Sequence, residues 1–205
     1  MKLIVHKSFF ISLSMMLLSF TAMGQFGNKG VFLIDSVRYG ELGQYDKELL
    51  DSVLPIYHTA GHDTTKLKLI GLLADGLYDG NLWPRYNQFL YDESLELHQN
   101  RYDSKTWKRI MSFRSSAINN FGFLAYQQGR IDEALVFFEK SNRIQKSIEY
   151  WLGYAHSLNN LGTVYRNIGE MDKALSRYEE SAKICLEILD TIAAIQSINN
   201  IGEVF

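Results

Sequence analysis

Apolar residues between positions 155 and 188 recur every three or four positions, in two runs separated by a glycine. The first run places Ala155, Leu158, Leu161, Val164, Tyr165 and Ile168 on one helical face. The second run does the same with Ala174, Leu175, Tyr178, Ser181, Ile184 and Ile188. Gly169 predicts the turn between them because glycine adopts positive φ at little cost. Asp172 suits the first turn of the second helix.

The same plan occurs once before and begins again afterwards. An asparagine pair, followed by an apolar residue and a glycine, stands at positions 119–120, 159–160 and 199–200. Shifted by 40 positions, residues 115–148 and 155–188 share 11 identities in 34 positions. The repeat predicts a unit over 115–154, a second over 155–194, and a truncated first helix of a further unit over 195–205.

The second unit resembles the tetratricopeptide repeat in Leu161, Gly162, Tyr165, Ala174 and Tyr178. The first unit offers Phe121, Gly122, Ala134 and Phe138, with Ala125 where the family has its first aromatic residue. The spacing of 40 resembles the long-repeat subclass found in peptide-binding regulators and bacterial sensor proteins. The resemblance implies an all-α solenoid of antiparallel helix pairs, wound as a right-handed superhelix, whose first helices line a concave groove.

The upstream chain is predicted to be helical with less regularity. Residues 46–114 contain a degenerate repeat over 64–99, in which Pro84 suits a first helical turn. Glycines scattered over residues 25–45 predict a poorly ordered segment.

Residues 1–24 have the layout of a secretory signal peptide. Lys2 and Lys7 precede an uncharged apolar stretch, and small residues follow at Ala22 and Gly24. We therefore expect an exported protein on the periplasmic or extracytoplasmic side of the membrane. An uncleaved anchor is the alternative, although the stretch is short for a span of about 20 residues.

The resemblance implies that a protein or peptide partner binds in the groove. Asparagine offers both a donor and an acceptor, so stacked asparagines could bond an extended backbone. The predicted partner-binding residues are Asn119, Asn120, Phe123, Tyr126, His156, Asn159, Asn160, Thr163, Arg166, Asn199 and Asn200. The alternative is that one asparagine of each pair bonds the neighbouring helix and only stabilises the stack.

Other chemistry has little support in the sequence. His58 and His62 are four apart, but Gly61 is expected to end the helix between them, so a metal site is not predicted. The lone Cys185 is interpreted as a small helix residue, and the tryptophans as packing aromatics. No catalytic or cofactor-binding motif occurs, and no long basic run favours nucleic acid.

The sequence therefore predicts an interaction module without a catalytic site. The export signal, the repeats and the abrupt end at Phe205 resemble the front of a bacterial sensor protein. Two alternatives remain open. The chain could be the N-terminal part of a signalling enzyme, a histidine kinase or an adenylate or guanylate cyclase, with its catalytic domain beyond residue 205. It could also belong to a free-standing periplasmic scaffold. The ligand, the oligomeric state and the output are not encoded in any motif.

Overall fold

A computed structural model describes residues 29–205, and the predicted signal peptide lies outside these described residues. Helices account for 79% of this part of the chain, and no strand occurs in it. A short helix, α1 (Lys29–Phe32), and a 3-10 turn (Tyr39–Glu41) precede the longer helices. These are α2 (Gln44–Thr59), α3 (Asp63–Gly76), α4 (Trp83–His98), α5 (Ser104–Gln127), α6 (Ile131–Ser147), α7 (Trp151–Asn167), α8 (Met171–Glu187) and α9 (Thr191–Gly202).

The helices from α2 onward stack in chain order. Each helix packs against the next, and α3, α5, α7 and α9 also contact one another in sequence. This arrangement makes α3 with α4, α5 with α6 and α7 with α8 antiparallel pairs, with the first helix of each pair on one side. The fold is the all-α solenoid of antiparallel helix pairs that the repeat predicts.

Two features of the repeat motif explain the close pairing. Gly129 (φ 73°) and Gly169 (φ 84°) end the first helices in the left-handed conformation, as predicted for Gly169. At the crossings, the aromatic rings of Phe138 and Tyr178 lie directly on Gly122 and Gly162. Both rings are almost fully buried. In each unit, the glycine and the aromatic residue of the motif therefore pack directly against each other.

The segment before α2 differs from the expectation of poor order. Phe32, Leu33, Ile34 and Val37 are buried in the core formed with α2, α3 and α4. The Tyr86 hydroxyl donates a hydrogen bond to the carbonyl oxygen of Phe32. Burial of four apolar side chains outweighs the flexibility that the neighbouring glycines suggest.

The two prolines and the cysteine take simple positions. Pro84 lies in the first turn of α4, as predicted, and Pro55 lies inside α2. Cys185 is fully buried between α7, α8 and α9. The pKa of its thiol is raised, mainly because the group is buried. This environment agrees with the interpretation of Cys185 as a small packing residue.

The last helix leaves apolar side chains in solvent. Ile192, Ile195 and Ile198 of α9 are each at least half exposed, at 75%, 52% and 50%. The opposite side of α9 packs Ala193, Ala194 and Ser197 against α7 and α8. Among residues 29–205, no helix is long and apolar enough to cross a membrane.

Candidate functional site

The asparagine pairs lie on the first helices of successive units, at equivalent helical positions. Because α5 contacts α7 and α7 contacts α9, the pairs follow one another along one side of the stack. We call this side the amide face; its members are Asn119, Asn120, Asn159, Asn160, Asn199 and Asn200. All six are half-buried or exposed.

Hydrogen bonds connect the pairs in a regular register. Asn160 Nδ2 donates to Asn119 Oδ1 at 3.1 Å, and Asn200 Nδ2 donates to Asn159 Oδ1 at 3.4 Å. In both cases the second asparagine of one unit reaches the first asparagine of the unit before it. The sequence spacing of each bond is 41. These amides therefore do what the structural alternative required: they join neighbouring helices.

Two further amide groups of this face, those of Asn159 and Asn120, also donate hydrogen bonds within the chain. Asn159 Nδ2 donates to Ser197 Oγ at 2.8 Å. Asn120 Nδ2 donates to Asp75 Oδ1 at 2.8 Å and to Asn87 Oδ1 at 3.1 Å. Within residues 29–205, the side chain of Asn199 makes no hydrogen bond and is exposed to solvent. The asparagines thus differ in how much bonding capacity they keep for a partner.

The amide oxygens keep most of that capacity. Asn120 Oδ1, Asn160 Oδ1 and Asn200 Oδ1 accept no hydrogen bond from the described part of the chain. Each amide oxygen has two lone pairs. The amide face therefore presents a row of acceptors whose orientation is held by the donors beside them.

The other predicted binding residues lie around the amide face, and some of their side chains are bonded within the chain. Tyr126 accepts a hydrogen bond from Asn167, and Arg166 forms an ion pair with Glu203. Thr163 Oγ1 donates to the Asn159 carbonyl oxygen at 3.0 Å and accepts from the Tyr178 hydroxyl at 3.1 Å. These three side chains are fixed by contacts within the chain.

Two of the predicted residues are open to solvent. Phe123 is 44% exposed, and His156 is exposed on α7 one turn before Asn159. Neighbouring groups partly desolvate the imidazole, which holds the pKa of His156 below its ordinary value.

A small pocket continues the amide face toward α3. It has a volume of about 220 Å³ and is lined by Ala74, Asp75, Leu77, Trp83, Asn120 and Phe123. The rings of Trp83 and Phe123 are 6.4 Å apart between centroids. Sequence reasoning did not single out Asp75 or Asn87, and it interpreted Trp83 as a packing residue. The degenerate unit that carries them does not align with the later repeats, so no sequence signal marked them.

The histidine pair does not share a helical face. His58 lies in the last turn of α2 and contacts the carbonyl oxygen of Val31 at 2.9 Å. His62 precedes α3 on the far side of the break at Ala60 and Gly61. Among the described residues, no group of three or more His, Cys, Asp or Glu side chains could hold a metal ion.

The stacked antiparallel helix pairs define a class of fold, the all-α helical repeat solenoids. Residues 113–187 match the family described as tetratricopeptide repeat. This match covers the first regular unit and most of the second, and repeats of this family generally bind protein partners. The family and its solenoid fold are generally non-catalytic.

One solved structure with the same fold is the crystal structure of BtubC (BKLC) from P. vanneervenii. The TM-score is 0.58 at 19% sequence identity, and the alignment covers 78% of this chain. The matched part is 64% of that protein's chain, so the present chain spans less than two thirds of its length. At this identity the likeness shows the fold alone. No curated protein matches the sequence at a significant level.

Proposed function

We propose that the chain is a docking module on which an extended segment of a protein partner lies along the amide face. The observation that carries the proposal is the row of amide oxygens on these half-buried or exposed asparagines, held in place by the bonds from Asn160 to Asn119 and from Asn200 to Asn159. An extended peptide exposes N–H donors at regular intervals, and these match a row of fixed acceptors.

The dual use of the asparagines favours this proposal. An amide that was already oriented by a neighbouring helix loses little conformational freedom when a partner binds, so less free energy is spent on ordering it. The exposed ring of Phe123 adds apolar area. The exposed side chains of His156 and Asn199 make no hydrogen bond within residues 29–205 and add polar groups for a partner. Binding through the backbone would make the module tolerant of the partner's sequence.

The experiment selects 12-residue peptides from a displayed random library against the purified protein and measures their affinity by fluorescence anisotropy. Two exposed positions, His156→Ala and Asn199→Ala, test the surface without breaking a bond between helices. We expect each to weaken binding. The double variant Asn159→Ala with Asn160→Ala should weaken it more, with helicity by circular dichroism near that of wild type.

Matched controls lie on the second helices. Val136, which is 61% exposed on α6, and Glu179, which is exposed on α8, are replaced by alanine. We expect these variants to bind like wild type. Peptides that lose affinity in the controls, and keep it in the amide-face variants, would refute the proposed surface.

We further propose that the module works outside the cytoplasm, as the sensing or scaffold region of a signalling protein. The support is the lysine-led apolar stretch of residues 1–24. Fusing residues 1–24 to alkaline phosphatase without its own leader tests export, since that enzyme is active only after export. A fusion that is inactive, and remains in the cytoplasm, would exclude this setting. The enzyme-fragment and free-standing scaffold alternatives both predict an active fusion.

A further inference from the structure

The pocket beside Asn120 combines an acidic group with two aromatic side chains. Asp75 contributes the carboxylate, and Trp83 and Phe123 contribute the rings. Asp75 is exposed, Trp83 is half-buried, and Phe123 is 44% exposed. A ligand could therefore reach all three side chains from solvent.

The Asp75 carboxylate lies where a negative charge is unfavourable. It is in the last turn of α3, and no basic residue lies in that turn. The C-terminal end of a helix carries a partial negative charge that destabilises a nearby anion. Neighbouring protein atoms partly desolvate the carboxylate, which raises the pKa of Asp75, and the bond from Asn120 only partly opposes this effect. Within residues 29–205, no lysine or arginine forms an ion pair with Asp75.

A chain of hydrogen bonds nevertheless holds this carboxylate in one orientation. Asn87 is fully buried and donates to the carbonyl oxygen of Ala117 at 3.0 Å. Asn87 Oδ1 then accepts from Asn120, which donates in turn to Asp75 Oδ1. The second carboxylate oxygen, Oδ2, has no hydrogen-bond partner in the described residues. The protein therefore orients an acid and leaves one of its oxygens unused.

The aromatic residues complete a site for a cation. The faces of tryptophan and phenylalanine attract a positive charge within about 6 Å of the ring centroid. The Trp83 and Phe123 centroids are 6.4 Å apart, with the ring planes inclined by 48°. The volume of about 220 Å³ is below the usual range for small-molecule sites, about 300–1,000 Å³. The space suits one side chain better than a free metabolite.

We propose that this pocket binds an arginine or lysine side chain of the partner that docks on the amide face. The inference rests on the proposed function, because Asn120 belongs to both the amide face and the pocket. The carboxylate Oδ2 accepts hydrogen bonds from the cationic group, while the alkyl part of the side chain lies against Trp83 and Phe123. The partner's charge then relieves the unfavourable position of Asp75. The pocket sets specificity, and the amide row binds the backbone.

The first test uses a small probe, so that it does not depend on peptide binding. N-acetyl-arginine N-methylamide is titrated into the ¹⁵N-labelled protein, and the indole N–H signal of Trp83 is followed by NMR. The neutral isostere N-acetyl-citrulline N-methylamide is the matched ligand. We expect a saturable shift of the Trp83 signal with arginine and none with citrulline.

Asp75→Asn is the matched variant, since it keeps an oxygen for the bond from Asn120 and removes the charge. The apparent affinity for the arginine probe should fall at least about tenfold, the usual effect of losing a charged hydrogen-bond partner. Glu179→Gln removes an exposed acid from α8 and should leave the titration unchanged. Thermal unfolding by circular dichroism checks that both variants are folded.

The second test uses the library peptides. Wild type should enrich peptides with arginine or lysine at one position, and Asp75→Asn should lose that preference while still binding peptides. Equal response to arginine and citrulline, or an unchanged arginine affinity in Asp75→Asn, would overturn the pocket assignment. If the probe binds at Asp75 and no peptide binds the amide face, the proposed function fails; the cation pocket is then retained, without its role in docking.

Discussion

Replacing Gly162 by alanine tests the packing that holds a helix pair together. A Cβ atom at Gly162 would lie 2.6 Å from Cε1 and 2.8 Å from Cδ1 of Tyr178. The ring cannot move aside easily, because Tyr178 is fully buried and its hydroxyl is bonded to Thr163 at 3.1 Å. Gly162→Ala should therefore force α7 and α8 apart.

The expected magnitude combines two opposing effects. Overfilling a packed core costs about 1–3 kcal/mol. Alanine in place of glycine inside a helix gains about 0.5–1 kcal/mol. The net expectation is a loss of about 0–2.5 kcal/mol in the free energy of unfolding, with a midpoint of about 1 kcal/mol. The measurement is urea unfolding followed by circular dichroism at 222 nm, analysed by linear extrapolation.

Gly71 provides a matched control inside α3. A Cβ atom there would lie 3.9 Å from Leu90 Cδ2 and from Phe113 Cδ1, which is ordinary contact. Gly71→Ala should therefore raise stability by about 0.5–1 kcal/mol. In a Tyr178→Leu background, Gly162→Ala should cost less than in wild type, because the clashing ring is absent. If Gly162→Ala stabilises the protein as Gly71→Ala does, the Tyr178 ring does not lie on Gly162.

Two further predictions concern single contacts. Ser181→Ala should lower stability by about 1 kcal/mol, because the buried Ser181 Oγ donates to the Ala155 carbonyl oxygen at 2.9 Å; urea unfolding measures this, with the exposed Ser176→Ala as control. Asp103→Ala should lower the unfolding temperature at neutral pH, since Asp103 caps α5 through Lys105 and Thr106. Those bonds, first the one from the Thr106 side chain, lower the pKa of Asp103. The capping contribution is thus present above the ordinary aspartate pKa of about 3.9 and is lost as the pH falls through the lower folded value. A difference from wild type that does not shrink in acid would contradict this assignment.

Much of the fold could be predicted because the repeat is local. Helix period, the turn at Gly169 and the small-to-large contact of Gly162 with Tyr178 all depend on residues within one unit. Repetition at 40 positions then shows the same interactions twice. Short-range patterns of this kind are readable without coordinates.

The packing of the N-terminal segment was not predictable in the same way. Its glycines are a local signal for flexibility, whereas the burial of Phe32 and Val37 depends on helices far along the chain. Tyr86, which bonds to Phe32, is 54 positions away. Contacts between distant and unrepeated segments leave no periodic trace.

Some features of the amide face could be predicted from the sequence, and others are visible only in the structure. The sequence by itself determined that asparagine pairs recur at a fixed helical position, because a constant period places them at the same point of every unit. Only the tertiary structure decided that the second amide of one unit bonds the first amide of the unit before it. It also brought Asp75, Trp83 and Asn120 to one pocket. The angle and the distance between stacked helices determine which side chains come into contact. Both quantities result from the packing of many side chains along the helix surfaces, so they cannot be read from a single repeat.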